Sequence, residues 1–188
     1  MAAIAERVGE AARAALAPGA VITDAGSVKG SIVAAVLRDG VAAPLFVGSH
    51  PIAGTEKSGP RAAQPDLFEG RKCIVTPVEG TGRSRLARVK AFWKSLGMRV
   101  ETLAPEGHDE ALALTSHMPH LLAYALSLTA QSRESRGGFR AARFAGGGFR
   151  DMTRIAASSP GMWREIVEHN GPATARALAE FISQLAHL

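Results

Sequence analysis

"HDEALALTSHMPHLLAYALSLTAQS", residues 108–132, decides how this chain is divided. Its apolar residues recur at helical spacing over a length that no strand would fill. Upstream, up to about residue 104, the pattern is different. "IAERVGEAARAALAPG" (4–19) reads as a helix stopped at Pro18-Gly19, and "AVITDAG" (20–26) as a buried strand. "KGSIVAAVLRDG" (29–40) reads as a short helix closed by Gly40. "APLFVGS" (43–49) and "KCIVTP" (72–77) read as strands. "RSRLARVKAFWKSL" (83–96) reads as an amphipathic helix stopped by Gly97, and "MRVETL" (98–103) as a strand. Strands alternating with helices argue for a layered α/β sheet. After Pro105 the strand patterns cease. "SSPGMWREIVEHN" (158–170) opens with Ser159 as N-cap and Pro160 at the first helical position, and "GPATARALAEFISQLAHL" (171–188) continues helically to the end. The expected organisation is α/β over residues 1–104 and all-α over 105–188.

Composition narrows the function. Apolar residues make up 46% of the 188, enough for a sizeable core, and the formal charge of +5 favours anionic partners. The arginines are scattered, so nucleic acid is not expected. The one cysteine, Cys73, precludes an internal disulfide and reads as a core residue. No apolar run reaches the roughly 18 residues of a membrane span, and no signal-peptide core is seen at the N-terminus. A soluble protein of the reducing cytoplasm is expected.

Four stretches carry chemistry. "TDAGSVKG" (23–30) ends a strand in Asp24, turns at Gly26, and offers Ser27 and Lys29 at a helix start, where free N–H groups favour anions. Taken alone, it reads rather as an N-cap serine with a solvated lysine. "GSHPIAGTEKSG" (48–59) reads as a loop following a strand, placing His50 on the same sheet edge as Ser27. Histidine suits proton transfer near neutrality, though a lone histidine also serves to cap a carbonyl. "SHMPH" (116–120) sets His117 and His120 three apart around Pro119, which should kink the helix. Two histidines from one turn are too few for a metal, and a third ligand such as His108 would be needed; no metal is expected. In "GGGFRDMTRIAASSPGMW" (146–163), Arg150 and Arg154 share a helix face and suit a carboxylate, unless they pair with Asp151 on a solvated surface. "VTPVEGTGRSR" (75–85) imitates a dinucleotide fingerprint, but Arg85 fills the third glycine position, so Gly80 and Gly82 read as a turn.

Taken together, in this order and spacing, the four stretches resemble the prephenate/arogenate dehydrogenase family across nearly the whole chain. The resemblance implies a Rossmann-like nucleotide-binding domain followed by a helical domain that forms a homodimer. It implies oxidative decarboxylation of prephenate, or of arogenate, by NAD or NADP in tyrosine biosynthesis. His50 corresponds to the proton-accepting histidine and Ser27 to the serine holding the same hydroxyl. Arg154 corresponds to the carboxylate-binding arginine. Glu56, His117 and His120 correspond to pocket residues, and Trp163 to a tryptophan reaching in from a neighbouring subunit. Asp24 and Gly26 fall on the cofactor side. The family's opening strand, Gly-x-Gly-x-x-Gly turn and helix have no counterpart in these 188 residues. The α/β part is therefore expected to be the C-terminal remnant of its domain, deficient in cofactor binding and inactive alone, with the missing segment encoded upstream of Met1. No C-terminal regulatory domain is expected. The competing readings are a non-catalytic dimeric module that binds aromatic carboxylates and a dehydrogenase of another hydroxy acid.

Overall fold

The computed structural model describes residues 1–54, 63–137 and 139–188. The first helix, α1 (Ala2–Arg13), buries Val8 and Ala12 against Ile32, Val33 and Val36 of α2 (Gly30–Leu37). Both helices stop short of the glycines expected to close them. Between them, residues 20–26 form no continuous strand. Ile22 makes one parallel bridge to Phe46, and the chain then turns because the Asp24 carboxylate accepts from its own Gly26 N–H at 2.9 Å.

The described sheet has three strands in the order β1 (Gly48–Ile52), β2 (Lys72–Thr76), β3 (Arg99–Thr102), antiparallel then parallel. The placement of β1 corrects the sequence reading. Pro44 puts Ala43–Leu45 into a 3-10 turn, and the strand is GSHPI, the polar stretch expected to be loop. Its polarity is satisfied internally. The Ser49 hydroxyl donates to Asp24 O at 2.5 Å and accepts from Trp93 Nε1 at 2.9 Å. Pro51, opposite Cys73, is tolerated because β1 lies at the end of the sheet. The next helix, α3 (Arg83–Ser95), covers the sheet with Val89 and Trp93 on Val47, Cys73 and Val75. Burial pushes the Cys73 thiol up to about 12, so it is an unreactive core residue. The turn before α3 is closed by Thr81 N on Val78 O, with Gly80 at φ 82°.

The helical part contains α4 (Pro105–Leu112), α5 (Met118–Ser135), α6 (Gly147–Arg154), α7 (Pro160–His169) and α8 (Gly171–Ala186). The single long helix expected over 108–132 is divided by a π-helical turn at Ala113–His117. Pro119 has no N–H for the carbonyl one turn back, and the wide turn absorbs the defect. Alanines at 113, 173 and 177 let α8 approach this turn closely around Met118. Ser159 caps α7 as expected, accepting from Met162 N at 3.5 Å, with Pro160 in the first turn. Among the described residues no helix is long and apolar enough to cross a membrane.

One buried ion pair fastens β1 to the start of α2. Lys29 is fully buried; its ammonium donates to the Asp24 carboxylate and to Ser49 O (2.8 Å), while Ser49 N donates to Asp24 Oδ1 at 3.0 Å. The solvated or anion-binding lysine of the sequence reading is thus an internal tie. Removing one partner of such a pair strands a buried charge, at about 3–5 kcal/mol. Asp24→Asn and Lys29→Met should each destabilise by about that much, and the double variant by at least about 1 kcal/mol less than the sum. Additive losses in urea unfolding would show that the two side chains are not coupled.

Candidate active site

A cavity of about 410 Å³ opens where the α/β part meets the helical part. Its size suits one small organic ligand. Ser27 enters from the turn before α2, His50 from β1, His117 and His120 from either side of Pro119, Arg154 from the end of α6 and Trp163 from α7. Six of the expected site residues therefore converge, although they come from five separate segments. Glu56 lies outside the described residues. Asp24 and Gly26 border a different hollow, against α1. Gly26 is there for space: a Cβ would sit 2.4 Å from the Ile32 side chain.

The polar groups of the cavity are held by buried neighbours. His50 Nδ1 lies 2.8 Å from His108 Nε2, and His108 Nδ1 lies 2.7 Å from Asp109 Oδ1. The Asp109 carboxylate also accepts from Lys29 N and Gly30 N, both at 2.8 Å. The backbone donors expected to be free for an external anion are thus filled by a carboxylate from α4. Asn170 donates to Asp109 O (2.8 Å) and lies 3.1 Å from His117 Nδ1. His120 stacks on Trp163 with ring centroids 3.7 Å apart, and its Nδ1 lies 2.9 Å from Ser116 O. Trp163, expected from a neighbouring subunit, packs into the cavity of its own chain and is buried. Arg154 stands exposed at the mouth and forms no ion pair with a described residue, so the expected alternative of an Arg–Asp surface pair is not formed there. Among the described residues no group of three potential ligands is set to hold a metal ion.

Electrostatics keep the histidines neutral. Burial, reinforced by His108 and Lys29 and opposed by Asp109, lowers His50 to about 3. Burial, partly offset by Asp109, lowers His117 to about 4. His120 is also lowered, first by burial, with the Arg154 charge adding to it. For Asp109, burial works upward, but the hydrogen bonds from His108, Lys29 N and Gly30 N outweigh it and hold the carboxyl below its usual value.

Sequence reasoning missed His108 and Asp109 as a pair, Asn170, and Arg71, which also lines the cavity. His108 had drawn notice only as a metal ligand. The available signal was an adjacent His-Asp at the start of an apolar helix, but its partner lies 58 residues away.

The fold and site define a class: an α/β nucleotide-binding-type domain joined to a helical domain, with a histidine and an arginine across a shared cavity. Residues 2–102 match the family described as "Prephenate dehydrogenase, nucleotide-binding domain", and residues 104–188 match "Prephenate dehydrogenase, dimerization domain". The chain belongs to the prephenate dehydrogenase family of oxidoreductases. It is 39% identical to a cyclohexadienyl dehydrogenase of Zymomonas mobilis, over 93% of this chain and 61% of that protein. It is 41% identical to a prephenate dehydrogenase of Bacillus subtilis, over 79% of this chain and 40% of that one. The crystal structure of prephenate dehydrogenase from Aquifex aeolicus in complex with hydroxyphenyl propionate and NAD+ superposes with a TM-score of 0.88 at 39% identity. It is covered to 64% by the whole of this chain. The chain thus spans less than two thirds of the length of these relatives.

The two depressed histidines give stability a pH dependence. In the unfolded chain both return to about 6.5. Their neutral burial favours the folded state above that value, and the contribution is lost as pH falls towards about 4 for His117 and about 3 for His50. The urea midpoint should therefore drop between pH 7 and pH 5, and the drop should shrink in His50→Asn. Equal slopes in wild type and variant would show that His50 does not titrate across folding.

Proposed function

We propose that the cavity binds prephenate, or the related arogenate, and serves its oxidative decarboxylation to the corresponding 4-hydroxyphenyl product. The observation carrying this reading is the opposition, across one small cavity, of a neutral histidine and an arginine that makes no ion pair with a described residue. His50 accepts the proton of the substrate's ring hydroxyl as that carbon is oxidised, and returns it to the phenolate oxygen formed as carbon dioxide leaves. Ser27, beside it, holds the same hydroxyl. Arg154 pairs with a substrate carboxylate, and His117, His120 and Trp163 line the pocket, with Glu56 proposed to join them. The Aquifex relative carries hydroxyphenyl propionate, an aromatic acid of this size, together with NAD+.

A nicotinamide dinucleotide is the oxidant the family implies. The described residues do not fit it fully: the N–H groups at the start of α2 are filled by Asp109, and Arg85, at the third glycine position of the turn pattern, lies in the first turn of α3. Asp24 and Gly26 remain proposed contacts on the cofactor side. These 188 residues alone are therefore expected to fold, to bind NAD+ poorly and to turn over little. That leaves room for the second reading, an aromatic-carboxylate-binding module without catalysis.

The boundary near residues 104–105 is proposed to separate the α/β part from a dimerising part. The exposed side chains of Leu128, Phe139, Phe144 and Met152, beside an apolar groove of about 900 Å³ bordered by α5, α6 and α7, support a homodimer through the helices.

Calorimetry with hydroxyphenyl propionate tests the cavity: the chain should bind it, and Arg154→Gln should lose roughly 1.5–3 kcal/mol, about ten- to a hundredfold in Kd. An unchanged Kd with lower thermal stability would make Arg154 structural. In a form of the protein that turns over prephenate, His50→Asn should lower kcat by about 10²–10⁴ with little change in KM. Less than a threefold loss removes His50 from the role, and prephenate binding without any turnover in a form that binds NAD+ favours the non-catalytic reading. Ultracentrifugation at micromolar concentration should give twice the 19.6 kDa chain mass; a monomer would refute the dimer.

A further inference from the structure

The hydrogen-bond chain behind His50 has a direction that its chemistry imposes. A carboxylate only accepts, so the His108 Nδ1 that lies 2.7 Å from Asp109 Oδ1 carries a proton. A neutral His108 then presents a lone pair at Nε2. His50 Nδ1, 2.8 Å away, must supply the hydrogen. We propose that His108, backed by Asp109, is a positioning residue that fixes His50 as the Nδ1–H tautomer and so leaves Nε2 as the atom that takes a proton in the cavity. This rests on the proton-accepting role of His50 given above, and it names the atom.

The alternative is an imidazolium at His108. Both of its nitrogens would then donate, His50 Nδ1 would have to accept, and His50 Nε2 would carry a hydrogen and be useless as an acceptor. The structure weighs against this. His108 is fully buried and lies against a second imidazole. The Asp109 charge is already met by two N–H groups at the start of α2, with the Lys29 ammonium nearby. A further buried cation is not needed to balance it. His50 lines the cavity, and among the described residues its Nε2 has no hydrogen-bond partner. The ring nitrogen that a histidine protonates follows from the bond its other nitrogen makes, and here that bond is made only when α4 docks on α2.

The test needs no turnover. Long-range 1H–15N correlation on 15N-histidine-labelled chain at pH 7 should show Nδ1–H with bare Nε2 on both His50 and His108. His108→Leu removes the acceptor and should move His50 towards its Nε2–H form, whereas His108→Gln, whose amide oxygen accepts, should retain the Nδ1–H form in part. An Nε2–H His50 in the wild type, an imidazolium at His108, or a His50 spectrum indifferent to His108→Leu would overturn the proposal. In a form that turns over prephenate, His108→Leu should lower kcat by roughly 10–10²-fold at little changed KM, with partial recovery in His108→Gln. The wild-type spectrum decides the proposal even if His108→Leu fails to fold. The expected tautomers together with undiminished turnover in His50→Asn, in a form that turns over prephenate, would sink the proton-accepting role and leave the tautomer assignment standing.

Discussion

Asp109 sits near the middle of α4 and sets both carboxylate oxygens on the backbone N–H groups that begin α2. That contact joins the two parts of the chain, because α2 belongs to the α/β layer and α4 to the helices. It satisfies two of the donors that a helix start leaves without an intrahelical partner, and it meets the helix dipole with a negative charge. Two of the helical part's contributions to the site are referenced to this point. His108 is its neighbour in sequence, and Asn170, at the junction of α7 and α8, ties to the Asp109 carbonyl and to His117.

The same arrangement explains how polar residues are buried at a functional interface without being wasted. Asp24, Lys29 and Ser49 satisfy one another beneath β1. His108 and Asp109 satisfy one another behind it. Three groups of the cavity lining carry no side-chain bond to a described residue on their ligand-facing side: the outer nitrogen of His50, the hydroxyl of Ser27 and the guanidinium of Arg154. A buried network that is fully bonded except at its ligand-facing end is a rigid support, which a proton acceptor requires if its pKa and orientation are to be reproducible.

Much of the site was legible because its residue types are unusual where they stand. His50 between a strand and glycines, two histidines around Pro119, and an arginine after a glycine run each have few structural uses. His50, His117, His120 and Arg154 all line one cavity. The strand assignment around them was less legible. GSHPI looks like a loop since a period-2 apolar pattern is absent, and its burial depends on hydrogen bonds to residue 24 and from residue 93 that no local window contains.

The sequence by itself determined the change from α/β to all-α near residue 105, the capped start of α7, the disturbance at Pro119 and the identity of the polar groups, since each rests on local spacing or on a single residue's backbone chemistry. Tertiary structure alone decided that Lys29 is an internal cation, that Trp163 lines a cavity within its own chain, and that the start of α2 is filled by Asp109. It also decided which nitrogens of His50 and His108 face each other. These outcomes depend on partners up to 80 residues apart, and a hydrogen bond between two helices leaves no periodic trace in either of them.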